Sequence, residues 1–264
     1  MFYIDKKLDK IREKRIGETN FNYFNYEMQI IDYRGAMDID VYFPEFNCKV
    51  TNKEYFRFKK GEIHSPYDPM TLGKGYLGEG IYITKKEGKL TAEYRRWFDM
   101  LRRCYDEKHL KKNPTYQGCF VNEDWLNFQI YAQWHNENYY EIPGEIMCLD
   151  KDILVKGNKE YGPDTCIFVP HRINTLFTDK KEARGLYPKG VRPNKKGNKY
   201  IARCDTLESR IHLGTFDSKE EAFYAYKEFK ENYIKQVADD YYSKGLIPYK
   251  LYEAMYAYEV DIND

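Results

Sequence analysis

The clearest period-two pattern in the chain lies between residues 190 and 216. Tyr200, Ala202 and Cys204 fall on one side of a run, and Ile201, Arg203 and Asp205 fall on the other. In the next run Ile211 and Leu213 oppose Arg210 and His212, and an earlier run from Val191 to Lys196 sets Arg192, Asn194 and Lys196 on alternate positions. Three short strands with one apolar and one cationic face are predicted. Ser218 followed by Glu221 has the spacing of a capping box, and the helix it opens carries Ala222, Tyr226, Phe229, Tyr233 and Val237 on one stripe. That stripe is expected to cover the apolar face of the sheet.

The rest of the chain divides by pattern. Residues 1–16 are highly charged, with Leu8, Ile11 and Ile16 as sparse apolar points, and read as an arm or short helix. Residues 17–66 hold strand-like runs at 28–33, 38–43 and 48–51, separated by ArgGlyAla and GluPheAsn turn signals, and read as a small β-module. It ends where Arg57, Lys59 and Lys60 interleave with Tyr55, Phe56 and Phe58, a mix that suits phosphate contact and stacking or a basic edge protecting a strand. Residues 67–90 are Gly-rich without a Gly-Lys-Ser/Thr phosphate loop and read as a linker. Within 91–178, one helix from Thr91 carries Tyr94, Trp97, Phe98, Leu101 and Tyr105, with Arg95, Arg96, Arg102 and Arg103 beside the stripe. A second helix, from about Asn122, carries Trp125, Phe128, Ile130, Tyr131 and Trp134. Strand-like runs at 147–154 and 164–170 and a short helix at 171–177 follow, in ββα order. Residues 179–242 form the sheet-and-helix module, and 243–264 a C-terminal helix in which Leu251, Met255 and Tyr258 pack back on a neighbouring domain or form a dimer contact. The fold class expected is α+β and multi-domain: a small N-terminal β-module, a central helical plus ββα domain, and a C-terminal three-stranded antiparallel sheet with its helix.

Composition sharpens this picture. A chain of 264 residues and 31.8 kDa exceeds one such module, and 27 Tyr with 15 Phe supply apolar bulk for several cores although 32% of residues are charged. No apolar run approaches the roughly 18 residues that span a bilayer, and the first residues lack the apolar core of a secretory signal. No membrane contact and a cytoplasmic location are expected. Six cysteines without a Cys-x-x-Cys pair indicate neither a zinc knuckle nor a disulfide framework, and read as reduced core residues. His64, His109 and His135 carry no pattern that points to chemistry. The formal net charge is only +1, yet from Lys189 to Thr215 seven cations (Lys189, Arg192, Lys195, Lys196, Lys199, Arg203, Arg210) face two acids, Asp205 and Glu208. That local excess points to a phosphate-binding surface, with double-stranded DNA as the expected partner.

GlyValArg at 190–192, LysTyrIleAlaArg at 199–203 and ArgIleHisLeuGlyThrPhe at 210–216 resemble the Apetala-type (ethylene-response-factor) DNA-binding domain, also carried by phage and mobile-element endonucleases. The resemblance implies a sheet lying in the major groove, with Arg192, Asn194, Lys196, Arg203, Arg210 and His212 as readers and Lys199 in the same cationic run. Lys196, Asp205 and His212 depart from the aromatic or Arg residues that family prefers, so the target sequence does not follow.

The stretch from Tyr94 to Phe177 resembles phage HNH-type endonucleases through TrpPheAspMetLeuArgArgCysTyr at 97–105, GluAspTrpLeuAsnPhe at 123–128, LeuAspLysAspIle at 149–153 and GlyProAspThrCysIlePheValPro at 162–170. The resemblance implies Asp150 as metal carboxylate and Asn174 as helix ligand for Mg²⁺ or Mn²⁺, in phosphodiester hydrolysis. Lys151 stands where the base histidine is expected, and a lysine at its usual pKa of about 10.4 cannot take a proton from water at pH 7. Asp152, His171 or a metal hydroxide formed without a base remain as routes. In the alternative, the ββα element is a docking scaffold, Lys151, Lys156 and Lys159 contact phosphate, and Asp152 and Asn158 are turn and cap residues. Two functions are thereby expected: a homing-endonuclease-like enzyme, or a catalytically inactive DNA-binding regulator or adaptor, phage- or prophage-encoded and acting in a bacterial host cell. A third is a phage factor that binds a host protein through the N-terminal module. The oligomeric state stays open.

Overall fold

A charged helix, α1 (Phe2–Arg15), leads into an antiparallel meander of four strands in sequence order: β1 (Thr19–Phe21), β2 (Glu27–Gly35), β3 (Asp38–Phe43) and β4 (Cys48–Lys53). The computed structural model describes residues 2–178 and 185–262, with side chains from residue 8 onward. Residues 179–184, which open the expected sheet-and-helix module, and residues 263–264 at the end of the expected C-terminal helix lie outside the described residues. The fold is α+β, with several separate sheets. The chain divides into two compact units, residues 1–117 with 121–133, and residues 118–120 with 134–264.

In the first unit, Met28, Ile30, Ile39, Val41 and Phe43 alternate inward and are fully buried. Register shifts between β2 and β3 at Ile30/Asp32 carry Tyr33, rather than a residue of the earlier parity, into the same core. The segment read as a basic strand end is instead a helix, α2 (Tyr55–Lys60), closed by Gly61 in the left-handed conformation. Its apolar spacing buries Phe58 and leaves Phe56, Arg57, Lys59 and Lys60 exposed.

The Gly-rich stretch expected as a linker is packed in place. Tyr76 exchanges backbone hydrogen bonds with the 126–128 segment, donating to Leu126 O and accepting from Phe128 N, each at 2.9 Å. A Cβ on Gly75 would fall 2.5 Å from Leu101 and 2.8 Å from Trp97, so this glycine allows the backbone to lie directly on the helix that follows. A two-residue hairpin comes next, β5 (Lys85–Lys86) and β6 (Lys89–Leu90). Helix α3 (Ala92–Tyr105) begins after Thr91 as predicted and buries Trp97, Met100, Leu101 and Cys104, whereas Phe98 is exposed. Asp106 caps the short α4 (Glu107–Lys112).

The single helix predicted from Asn122 is two, α5 (Glu123–Leu126) and α6 (Phe128–Asn138). Asn127 breaks it: its backbone is extended, and its Oδ1 accepts from Gln129 N at 2.9 Å to cap α6. Trp97 Nε1 donates to Trp125 O at 2.7 Å, which fixes the aromatic core of this unit.

In the second unit, β7 (Met147–Asp150) pairs antiparallel with β8 (Ile167–Pro170), and α7 (His171–Thr175) follows, in the strand–loop–strand–helix order expected. Phe168 sits at ring distances of 5.4 Å from Trp134, 5.3 Å from His135 and 5.1 Å from Tyr139. His135 is thus a core residue. The C-terminal part is a sheet of β9 (Val191–Pro193), β10 (Tyr200–Asp205) and β11 (Arg210–Phe216) covered by the long α8 (Lys219–Ser243). The capping box is formed, with Ser218 Oγ accepting from Glu221 N at 3.1 Å. After Pro248, α9 (Tyr249–Tyr256) buries Leu251 and Met255, and Val260 beyond it joins the core beneath the sheet.

Candidate nucleic-acid interface

Val191, Ala202 and Cys204 are buried against Ala222, Phe223 and Tyr226 of α8, with Tyr200, Leu213 and Phe216 packed at the rim. The opposite face carries the charged side chains, as the alternation predicts. Register defines its rows. Arg192 pairs with Ile201, which pairs with Thr215; Arg203 pairs with His212; Asp205 pairs with Arg210. A register shift falls between Ala202 and Arg203, so Leu213 is the extra residue and parity reverses beyond it. Thr215 therefore joins the solvent face and Phe216 the core. Gly214, at φ 147°, supplies the backbone freedom, and a glycine inside a strand pattern is the sequence signal that points to such a bulge.

The seven cations of this region are not equivalent. Lys189 is buried beneath the sheet and does not contribute to the face. Gly190, next to it, lies so close to the Tyr226 ring that a Cβ would fall 2.1 Å away, and the chain enters the sheet pressed onto α8. Arg210 is held by Asp205, Nη2 donating to Oδ2 at 2.9 Å, and this hydrogen bond lowers the Asp205 carboxyl below its usual range. Lys199 pairs with Asp217 at 2.9 Å. Arg192, Lys195, Lys196 and Arg203 have no ion-pair partner among the described residues. Arg203 Nε is hidden from water and has no hydrogen-bond partner among the described residues.

The first strand is shorter than predicted and ends at Pro193. Asn194 closes the turn to β10: its N donates to Lys199 O at 2.8 Å, its Oδ1 accepts from Asn198 N and Lys199 N, and its Nδ2 donates to Asn198 Oδ1. Asn194 is thus occupied by the turn, and Lys196 projects from the turn rather than from a strand. The helix stripe is also broader than its sequence reading. Phe223, Ile234 and, unexpectedly, Lys230 are buried, while Phe229 and Tyr233 are only half-buried. Burial pushes the Lys230 ammonium below the usual lysine range, and its Nζ donates to Asp205 O at 3.5 Å.

In the ββα element, Asp150 Oδ1 accepts from Asp152 N and Ile153 N, both at 2.8 Å, forming a turn. Burial raises its carboxyl above the usual range despite those two hydrogen bonds. Lys151, expected among the phosphate contacts, points inward. Its side chain is 6% exposed, and Nζ donates to both Asp152 oxygens at 2.8 Å and to Asn158 O at 2.5 Å. Asn158 in turn donates to Lys151 O and Glu160 O, holding the loop as the cap reading expected. Lys156 is exposed but donates to Glu259 O at 3.3 Å, and Lys159 is exposed.

His171 and Asp150 lie at opposite ends of the hairpin. Asp150 pairs with Ile167, whereas His171 follows Pro170, the partner of Met147. Three residues of strand separate the two ends by about 10 Å. His171 Nδ1 is 3.5 Å from Cys148 Sγ, and Asn174 is half-buried on α7. Among the described residues no three His, Cys, Asp or Glu side chains are grouped to hold a metal ion. With one Asp150 oxygen occupied by two amides, an ammonium fixed on Asp152 and His171 at the far end, this donor set does not fit a divalent cation.

Comparison with protein-family models, curated proteins and solved structures yields no match. Among the described residues no helix is long and apolar enough to cross a membrane.

Proposed function

We propose that the chain binds double-stranded DNA through the solvent face of β9, β10 and β11, and that its ββα element is kept as architecture rather than as a nuclease centre. The observation that carries this reading is the row structure of the face. On one face of the sheet Arg192 lies in the row of Ile201 and Thr215, Arg203 and His212 form the next row, and neither arginine has an ion-pair partner among the described residues. Three strands at about 4.8 Å spacing make a ribbon roughly 10 Å wide, which matches a major groove of about 12 Å. The resemblance to the Apetala-type domain points the same way, and a cytoplasmic site of action in a phage-infected bacterial host accords with it.

The homing-endonuclease reading draws support from the ββα order alone. Against it stand the inward Lys151 ammonium in place of a base and the distance of His171 from Asp150.

Two measurements test the proposal. Arg192→Ala with Arg203→Ala is expected to weaken duplex binding at least tenfold and to reduce the salt slope by about two; unchanged affinity and slope would sink the sheet-face assignment. Plasmid incubated with the protein and Mn²⁺ is expected to stay intact. Nicking that Asp150→Ala abolishes would restore the enzyme.

A further inference from the structure

The hairpin of residues 83–91 in the first unit carries a second cationic surface. Lys85, Lys86 and Lys89 are all exposed, and none has an ion-pair partner among the described residues. The turn between the strands is two residues, Glu87 at φ 50° and Gly88 at φ 77°, the left-handed pair that a tight hairpin requires. That turn fixes the register, and the register sets Lys86 directly opposite Lys89. Like charges so placed have Cβ atoms about 5 Å apart and destabilise the pair. An anion lying across them removes that cost.

The hairpin is anchored rather than loose. Tyr82 is gripped by the Gln129 side chain, its N donating to Oε1 and its O accepting from Nε2, both at 2.9 Å. Thr91 closes the other side, its N donating to Thr84 O at 3.0 Å and its Oγ1 to Ile83 O at 3.0 Å. Arg95, itself exposed, reaches Leu90 O at 3.4 Å and adds a fourth cation at the base. Ile81 and Ile83 flank the stem at 85% and 54% exposure.

We infer that this hairpin is a phosphate-gripping arm, a second DNA-backbone contact in a different compact unit from the sheet; the choice of DNA rests on the reading proposed above. It is a sequence-independent contact, because lysines opposed at a hairpin tip offer point charges and no bidentate geometry for a base edge.

The test uses the full chain and a fluorescent 30-base-pair duplex, comparing Lys85→Gln/Lys86→Gln/Lys89→Gln with the unaltered protein over a range of KCl concentrations. Glutamine keeps the edge polar and the turn unchanged, and a matching circular dichroism melt checks the fold. The triple variant is expected to bind about tenfold or more weaker, with a salt slope smaller by roughly 0.9 per lost contact. If the variant matches the parent while Arg192→Ala/Arg203→Ala loses binding, the arm is refuted and the sheet interface stands. If the parent shows no salt-dependent binding to DNA, both fall. Loss of binding to phosphatidylserine vesicles with DNA binding unchanged would make the hairpin a lipid contact and overturn the inference.

Discussion

Two buried or half-buried charges illustrate how little a residue's identity says until its surroundings are known. The resemblance to HNH-type endonucleases implies a metal carboxylate at Asp150, yet its Oδ1 serves as the acceptor of a turn and its carboxyl is raised by burial. A carboxyl raised in the folded state binds protons more tightly there than in the unfolded chain. Its contribution is therefore full below the unfolded value of about 3.9 and is lost as pH rises through the folded one. Asp150→Asn keeps the acceptor and removes the charge, so at pH 7 it is expected to be as stable as the parent or more so, with any gain vanishing near pH 3. Asp150→Ala removes the acceptor and is expected to cost about 1–2 kcal/mol by urea denaturation. Lys230 is the converse case. Its ammonium is lowered by burial, so the unfolded chain binds the proton more tightly and stability rises with pH up to about 10.4. Lys230→Met is expected to stabilise the fold by about 1–2 kcal/mol at pH 7, and the advantage is expected to shrink as pH approaches 10. A stability loss in the variant would show that the 3.5 Å contact with Asp205 O outweighs the desolvation of the ammonium.

Strands and helices were legible wherever period decided burial. The alternation of β10 and the early part of β11, the capping box of α8, the start of α3 and the ββα order all stand as read. Elements failed where one backbone feature changed the parity or broke the run. The bulge at Leu213 moved Thr215 outward, Asn127 split a helix by capping its own downstream half, and the glycines at 75 and 78 proved to be close-approach positions beneath Leu101, Trp97 and Asn127. Sequence spacing records the mean period and not a one-residue insertion. Cross-strand pairing adds a further consequence, because Asp205 neutralises Arg210 within the cationic face. Asp205→Asn is expected to free that guanidinium and remove a repelling carboxylate, tightening DNA binding several-fold and steepening the salt slope by about one. No change in slope would place Arg210 outside the contact.

Across the whole molecule the near-zero net charge means that any salt-dependent attraction to DNA is local in origin. Four sheet-side cations and three hairpin lysines without ion-pair partners among the described residues correspond to a log–log salt slope of about −6 if all reach phosphate. A slope near −1 would instead leave most of them in solvent. The division of the chain into two compact units also places these surfaces in separate bodies, so variants in one are expected to add to variants in the other.

From the sequence alone came the α+β class, the two-faced sheet and its helix, and the strand–loop–strand–helix element, because apolar period and capping chemistry are written into neighbouring residues. Only the tertiary structure decided which charges remain available. Lys151 and Lys230 are buried, Lys189 lies beneath the sheet, Arg210 and Lys199 are paired, and three hairpin lysines in the stretch expected as a linker are exposed with no ion-pair partner among the described residues. The physical reason is that a charge's availability depends on partners and burial contributed by residues distant in sequence, and a local pattern holds no record of them.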